Sequence, residues 1–152
     1  MSALNGKRKE YLTVKDLQKV LDSCKLNLNQ IDEVLPNIYI GNVAVAQNKA
    51  ALQKLDDSTH FDLDVYFQPA ADFIHKALKT PDGKVLVHCI MGMSRSSTLV
   101  LAYLMIYRHL PLKQALKKLI QKRAIYPNRN FLALLLDLDL QLTRKKKTCQ
   151  IL

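Results

Sequence analysis

The 152-residue sequence lacks tryptophan, has only four glycines and five prolines, and contains three cysteines without a CxxC pair. Because the cysteines are odd in number and spread along the chain, they argue against a disulfide framework or a zinc site. No apolar run approaches the eighteen or so residues of a membrane span, and no apolar stretch follows the basic amino terminus, so secretion is not expected either. Without repeats or low-complexity tracts, the chain is predicted to be one cytoplasmic globular domain.

Acidic residues are absent from 84–136, which holds nine lysines and arginines and accounts for most of the net charge of +10. A surface of that sign attracts anions, namely nucleic acid, acidic lipid or a phosphorylated protein. Stacking on single strands would require aromatic residues interleaved with the basic ones, and the few present have helical or irregular spacing. Nucleic acid is therefore not expected to be the partner, and a polybasic nucleic-acid binder is only a remote alternative.

The hydrophobic pattern predicts an α/β fold with five or six helices but only two convincing strands. Thr13 is expected to cap the first helix, and Pro69 to bend or restart the third. The predicted strands are 38–42 and 84–88, and the predicted helices are 14–24, 43–55, 61–78, 94–109, about 111–123 and one that starts near 129.

A Cys-x5-Arg segment lies between the strand ending at His88 and the helix that opens near Arg95. Backbone N–H groups in such a turn, at the positive end of a helix dipole, can surround a tetrahedral dianion, and Gly92 supplies the backbone freedom that the curl needs. The predicted phosphate-binding loop is Ile90, Met91, Gly92, Met93 and Ser94.

Chemical roles follow from these residue types. Arg95 can direct two donors at phosphoryl oxygens, and the surrounding positive charge should lower the pKa of the Cys89 thiol, which makes it the candidate nucleophile. Ser96 can hydrogen-bond the sulfur and ease its departure, while His88 is expected to brace the loop rather than transfer protons. The alternative is a buried, inert cysteine beside a surface arginine.

The segment 85–96 (VLVHCIMGMSRS) resembles the signature of cysteine-dependent protein tyrosine phosphatases, in detail that of the small atypical dual-specificity phosphatases. Further similarity covers 32–41, 61–78, 98–107 and 127–132. The resemblance implies a central sheet flanked by helices, no cofactor or metal, and hydrolysis of phosphotyrosine and phosphoserine or phosphothreonine in proteins, including MAP-kinase-type substrates. It divides the chain into an amino-terminal helical extension (1–30), a catalytic domain (31–142) and a polybasic tail (143–152).

The resemblance also places the general acid at Asp57, on a loop ahead of the helix that begins near Phe61. Its role would be to protonate the leaving oxygen and then to activate water. Asp56 is adjacent and equally acidic, and the pair followed by Ser58 is also good capping chemistry, so a purely structural role is the alternative.

One departure from the family is large. Members place some tens of residues, including two strands, between the helix ending at Leu55 and the acid loop, whereas here Leu55 runs directly into Asp56. We interpret this as an internal deletion that shortens the sheet. The alternative function is then a catalytically impaired module that holds phosphoproteins. Arsenate reductases and low-molecular-weight phosphatases share a Cys-x5-Arg loop, but they place it near the amino terminus.

The chain ends Cys149-Gln150-Ile151-Leu152, which fits a C-a-a-X prenylation pattern, and basic residues 144–147 precede it. One lipid and a polybasic patch together suffice for anchoring on an anionic membrane surface. Gln150 is not aliphatic, so a basic tail with an incidental cysteine is the alternative.

Overall fold

A computed structural model describes residues 12–42, 63–89 and 93–151, with side chains as far as residue 145. The helices and strands are numbered below among these described residues. In chain order they are α1 (Val14–Asp22), β1 (Ile31–Leu35), β2 (Ile38–Gly41), a 3₁₀ turn (Leu63–Tyr66), α2 (Phe67–Lys79), β3 (Val85–His88), α3 (Arg95–Tyr107), α4 (Leu112–Ile120) and α5 (Arg129–Ile151). The predicted α/β class is confirmed.

The sheet has three described strands in the order β1-β2-β3, with β1 antiparallel and β3 parallel to β2. The expectation of two strands was wrong, because β1 was not recognised. Its Asp32 and Glu33 lie at the edge of the sheet, where charged residues are common and weaken the apolar pattern of a strand. A turn at Asn37, whose φ is 67°, joins β1 to β2, and its N–H donates to the Glu33 carboxylate at 2.9 Å.

Helix α3 is at the centre of the fold and contacts β2, β3 and helices α2, α4 and α5. Its residues Ser96 to Met105 are all buried, as the apolar sequence predicts. Pro69 does not bend α2, because it is the third residue of the helix and its missing N–H falls in the first turn, where no intrahelical acceptor exists. The 3₁₀ turn that precedes α2 accounts for the earlier start expected from the periodicity.

Helix α1 is capped as predicted by Thr13, whose hydroxyl accepts a hydrogen bond from Asp16 N at 3.2 Å while the Asp16 carboxylate accepts from Thr13 N at 2.9 Å. The helix ends at Asp22, two residues earlier than expected. Buried Leu17 and Leu21 pack it against α4 and α5. The expected extension therefore shares the common hydrophobic core, and the division at residue 30 stays a prediction.

The predicted helix 43–55 lies outside the described residues. Helix α5 continues without interruption from Arg129 to Ile151, so the chain remains helical across the expected start of the tail at residue 143. None of the helices in the described ranges combines the length and the apolar character that a membrane crossing requires.

Candidate active site

The carboxyl end of β3 delivers Cys89 to the turn between strand and helix. Cys89 N–H donates to the Gly41 carbonyl at 3.4 Å, which extends the β2–β3 ladder by one residue beyond His88. Cys89 is only partly buried, whereas an inert core cysteine is expected to be fully buried. The parallel pairing of β2 and β3 thus fixes the backbone from which the sulfur projects.

Ser96 approaches Cys89 from the other side of the turn. Its Oγ lies 3.2 Å from Cys89 Sγ, within hydrogen-bonding distance for an oxygen and a sulfur, and the serine is fully buried. The predicted contact between hydroxyl and sulfur is therefore present. With Ser96 as donor, the hydroxyl would stabilise a thiolate on Cys89, because a hydrogen bond to the charged form favours that form.

Arg95 is the first residue of α3 and only 7% exposed. Its guanidinium is therefore held within the fold at the amino end of the helix, where the helix dipole is positive. His88 is also buried, at 7% exposure, which suits the bracing role expected of it better than proton exchange with solvent.

The second half of the loop is attached to residues 126–128, a contact that the sequence did not predict. Tyr126 N–H donates to the Met93 carbonyl at 2.8 Å, and Asn128 N–H donates to Ser94 Oγ at 3.1 Å. The Thr98 hydroxyl also donates to the Ser94 carbonyl, at 2.6 Å. Backbone donors can come from any residue type, so no sequence signal marks a contact across more than thirty residues.

Asn128 also organises the start of α5. Its side-chain oxygen accepts from Phe131 N at 2.8 Å, which is an N-cap interaction. The same residue therefore caps α5 and donates to Ser94, so the amino ends of α3 and α5 meet at the loop. Two helix dipoles consequently place positive potential on the same side of the site.

A buried ion pair holds the chain just before segment 126–128. Arg123, at 0% exposure, donates to Asp32 on β1 at 2.7 Å. The Tyr126 hydroxyl donates to Asp22 at the end of α1, at 3.2 Å. Burial, and then this hydrogen bond, raise the pKa of Tyr126 above its ordinary value of 10.0.

Several predicted residues lie outside the described residues: Asp57, Asp56, and Ile90, Met91 and Gly92 of the loop. The side chain of Cys149 does as well. Their roles stay predictions. Among the residues that the structure does describe, no group of three histidine, cysteine or acidic side chains has the geometry of a metal site.

Comparison with known proteins identifies related sequences. Residues 9–141 match the family described as dual specificity phosphatase, catalytic domain. Dual specificity protein phosphatase 26 of Homo sapiens is 42% identical over 164 residues, which take in 87% of this chain and 78% of the relative; the Rattus norvegicus protein gives the same values.

Solved structures resemble the fold. Human DUSP28 superposes with a TM-score of 0.66 at 22% identity, covering 76% of this chain and 96% of that one. A putative dual specificity phosphatase of mouse, complexed with zinc tungstate, gives a TM-score of 0.64 at 22% identity, covering 80% and 93% of the two chains.

The alignment with the human relative also bears on the expected deletion. It is 164 residues long, whereas 87% of the 152 residues here is about 132, so at least about thirty residues of the relative have no counterpart in this chain. In the described part of the chain, β3 has β2 on one side and no strand on the other. Both facts agree with a shortened sheet.

Proposed function

This chain belongs to the family of dual specificity phosphatase catalytic domains, and we propose that Cys89 is the nucleophile with which it hydrolyses phosphotyrosine and phosphoserine or phosphothreonine in proteins. The observation that carries the assignment is the 3.2 Å contact between Cys89 Sγ and Ser96 Oγ beside the buried Arg95. A merely structural cysteine needs neither a hydroxyl at its sulfur nor a guanidinium held at the adjoining helix end.

The reaction has two displacements. The Cys89 thiolate attacks phosphorus, an S–P bond forms, and the P–O bond to the substrate breaks; the leaving oxygen takes a proton from the general acid, proposed to be Asp57. Water then attacks the phosphocysteine and gives a proton to the Asp57 carboxylate, the S–P bond breaks to return the Cys89 thiolate, and inorganic phosphate leaves. Arg95 and the loop amides hold the phosphoryl oxygens throughout, and Ser96 donates to the sulfur as it departs.

The test is phosphate release from matched phosphotyrosine and phosphothreonine peptides by the purified chain, Cys89→Ser and Asp57→Ala. We expect no turnover by Cys89→Ser and a loss of about a hundred-fold or more in kcat for Asp57→Ala. Equal release by all three proteins would contradict the catalytic assignment.

A melting curve with and without vanadate separates catalysis from binding. An increase in Tm with vanadate, together with no turnover by the wild-type chain, would favour the phosphoprotein-binding module. Turnover by the wild-type chain that Cys89→Ser lacks would favour the enzyme.

Phosphorylated proteins are the substrates of this family. MAP-kinase-type substrates are a narrower proposal that rests on the family resemblance alone. It is tested by comparing kcat/KM for an activation-loop peptide phosphorylated on threonine and tyrosine with that for a scrambled peptide carrying the same phosphates. Equal values would remove the narrower proposal and leave the phosphatase assignment intact.

We also propose a cytoplasmic location in which geranylgeranyl attached to Cys149 and the basic residues 144–147 hold the protein at anionic membranes. The support is the terminal sequence and its charge. Cys149→Ser, or an inhibitor of the prenyltransferase, should move the protein to the soluble fraction, whereas Cys24→Ser should leave its distribution unchanged. An unchanged distribution of Cys149→Ser would overturn the proposal.

A further inference from the structure

Helix α4 presents charge of only one sign to solvent. Its buried residues, which pack into the core, are Leu112, Ala115, Leu116 and Leu119. The charged residues of the helix are all lysines and all exposed, and so is a fourth lysine in the turn that follows: Lys113, Lys117, Lys118 and Lys122. No acidic residue occurs between 84 and 136, so α4 contains none to neutralise them. These four lysines are called the α4 face below.

The positive charge of the α4 face is not used inside the fold. Within the described ranges, none of the four lysines forms an ion pair. Arg123, the next basic residue along the chain, differs from them, because it is fully buried and donates to Asp32 at 2.7 Å. The charge of the α4 face is therefore left to solvent or to a partner.

The neighbouring helix α1 adjoins the α4 face without cancelling its charge. Asp16 of α1 is engaged in the capping box with Thr13, and two lysines and two aspartates make the helix neutral as a whole. The hydrogen bonds from Thr13 are the main cause that holds the pKa of Asp16 below 3.8, and the charges of Lys19 and Lys113 act in the same direction. Lys19 of α1 and Lys113 of α4 therefore lie on adjoining parts of one surface.

This basic surface continues towards the carboxyl-terminal half of α5. Leu112, the first residue of α4, donates its N–H to Asp139 Oδ1 at 3.1 Å. Arg144 and Lys145 are exposed on the same helix as Asp139, and at 1.5 Å per residue they lie about 8 Å further along its axis. The start of α4 thus adjoins the part of α5 that leads into basic residues 144–147.

The residue types of the α4 face fit an anionic membrane better than a nucleic acid. Helix α4 has no aromatic residue on which a base could stack, and no arginine that could hold a phosphate by two hydrogen bonds. Lysines are compact charges on flexible stems, and they bind a fluid array of lipid headgroups that has no fixed spacing. Charge complementarity therefore favours the surface of an anionic leaflet.

We propose that the α4 face is a second membrane-contact surface, which binds the headgroups of anionic phospholipids. The inference goes beyond the proposed function, because it requires neither catalysis by Cys89 nor a lipid on Cys149. The unlipidated chain should therefore bind anionic vesicles through its folded domain as well as through its basic tail.

The experiment measures the co-sedimentation of the unlipidated whole chain, purified from bacteria, with vesicles. The vesicles contain phosphatidylcholine alone, or equal parts of phosphatidylcholine and phosphatidylserine. Wild type is compared with two triple variants that lose the same amount of charge, and a melting curve shows that each variant is folded. The test variant combines Lys113→Gln, Lys117→Gln and Lys118→Gln. The matched control replaces exposed lysines of α2 and of the residue before β3, namely Lys76→Gln, Lys79→Gln and Lys84→Gln.

Each lysine near an anionic leaflet contributes about a five-fold factor to the partition coefficient, so the test variant should bind the mixed vesicles about a hundred-fold more weakly than wild type. The control should stay within about two-fold of wild type, because charges more than a Debye length from the membrane are screened. Wild type should not bind phosphatidylcholine alone, and added salt should release it from the mixed vesicles. Equal binding by wild type and the test variant, or an equal loss in both variants, would overturn the inference.

Acetylation of the lysines in the wild-type chain gives a readout that needs no variant, and it decides the question if a triple variant does not fold. With mixed vesicles present, mass spectrometry should show slower acetylation of Lys113, Lys117 and Lys118, and an unchanged rate at Lys76 and Lys79. Unchanged rates at the α4 face would contradict the inference.

A duplex DNA, titrated into the wild-type chain at the same salt concentration, tests the competing partner. Binding to the duplex without binding to the mixed vesicles would overturn the membrane assignment in favour of a nucleic acid. Binding to the mixed vesicles that the test variant loses would support the membrane.

Discussion

Cys89 Sγ and Ser96 Oγ, seven residues apart in the sequence, lie 3.2 Å from each other, because the chain reverses between the end of β3 and the start of α3. The serine is fully buried, so its hydroxyl has a fixed position next to the sulfur. A fixed donor assists most when negative charge develops on that sulfur, which happens when the phosphocysteine is hydrolysed.

Ser96→Ala should therefore slow the second displacement more than the first. A hydrogen bond to a charged group contributes about 1.5–3 kcal/mol, so we expect kcat to fall about ten- to hundred-fold. Rapid-quench measurement of the first turnover should show a burst of product and accumulation of phosphoenzyme. If Ser96→Ala has a lower kcat and shows no burst, the assignment is contradicted, because Ser96 would then act in the first step.

Ser94→Ala removes the acceptor for Asn128 N–H and with it one of the contacts that hold the loop against the start of α5. A neutral hydrogen bond contributes about 0.5–1.5 kcal/mol, so the affinity for vanadate should fall about two- to ten-fold. Isothermal titration calorimetry measures the Kd for vanadate. Thr80→Ala, which removes an exposed hydroxyl contact to Ala77 at the far end of α2, is the control and should leave the Kd unchanged.

Asp32→Ala should destabilise the fold by about 3 kcal/mol, because it takes the carboxylate from a fully buried guanidinium. Glu33→Ala, on the same strand, removes an exposed carboxylate whose contact is a turn N–H, and should cost less than about 1 kcal/mol. Urea denaturation measures both variants. Similar urea midpoints for Asp32→Ala and Glu33→Ala would show that the ion pair between Arg123 and Asp32 contributes little to the stability of the fold. Joint replacement by Asp32→Leu and Arg123→Met should recover part of the loss.

Tyr107 links α3 to α2 by donating to Asp72 at 2.5 Å. This hydrogen bond is the main cause that holds the pKa of Asp72 below 3.8, and it raises the pKa of Tyr107 above 10.0. The stabilisation is present above the unfolded pKa of Asp72 and is lost as pH falls through the lower folded one. It is also present below the unfolded pKa of Tyr107 and is lost as pH rises through the higher folded value.

The difference in Tm between wild type and Tyr107→Phe should therefore be constant from about pH 5 to 9 and shrink outside that interval. In Tyr107→Phe, carbon-detected NMR titration should show the pKa of Asp72 moving up towards its ordinary value. If the difference in Tm persists unchanged at pH 2, the hydrogen bond to the ionised Asp72 carboxylate does not account for it. The stacking of His75 on the ring, with centroids 4.1 Å apart, is kept in Tyr107→Phe and so does not contribute to the difference.

Within the described ranges, the sequence predicts the helices and the two strands with strong apolar patterns, because a segment such as Ser96 to Met105 of α3 is buried throughout. It misses β1, since Asp32 and Glu33 face outward or into an ion pair at the edge of the sheet. Of the two outcomes expected at Pro69, the bend is absent and the restart is present, because the 3₁₀ turn Leu63–Tyr66 ends where α2 begins and Pro69 lies in the first turn of α2.

For the site, the spacing of Cys89, Arg95 and Ser96 predicts their proximity, because seven residues joining a strand to a helix can close on themselves. The contacts of Met93 and Ser94 with segment 126–128 cannot be predicted in this way. They depend on how α4 and α5 pack against α3, which is a tertiary property with no local pattern. The roles of Asp57 and Cys149 stay predictions.

Helix α5 starts beside the phosphate loop and runs for 23 residues to Ile151. At 1.5 Å per residue its two ends are about 35 Å apart. That length is the upper limit on how far the start of α5, beside Ser94, can lie from a membrane that holds the proposed lipid on Cys149.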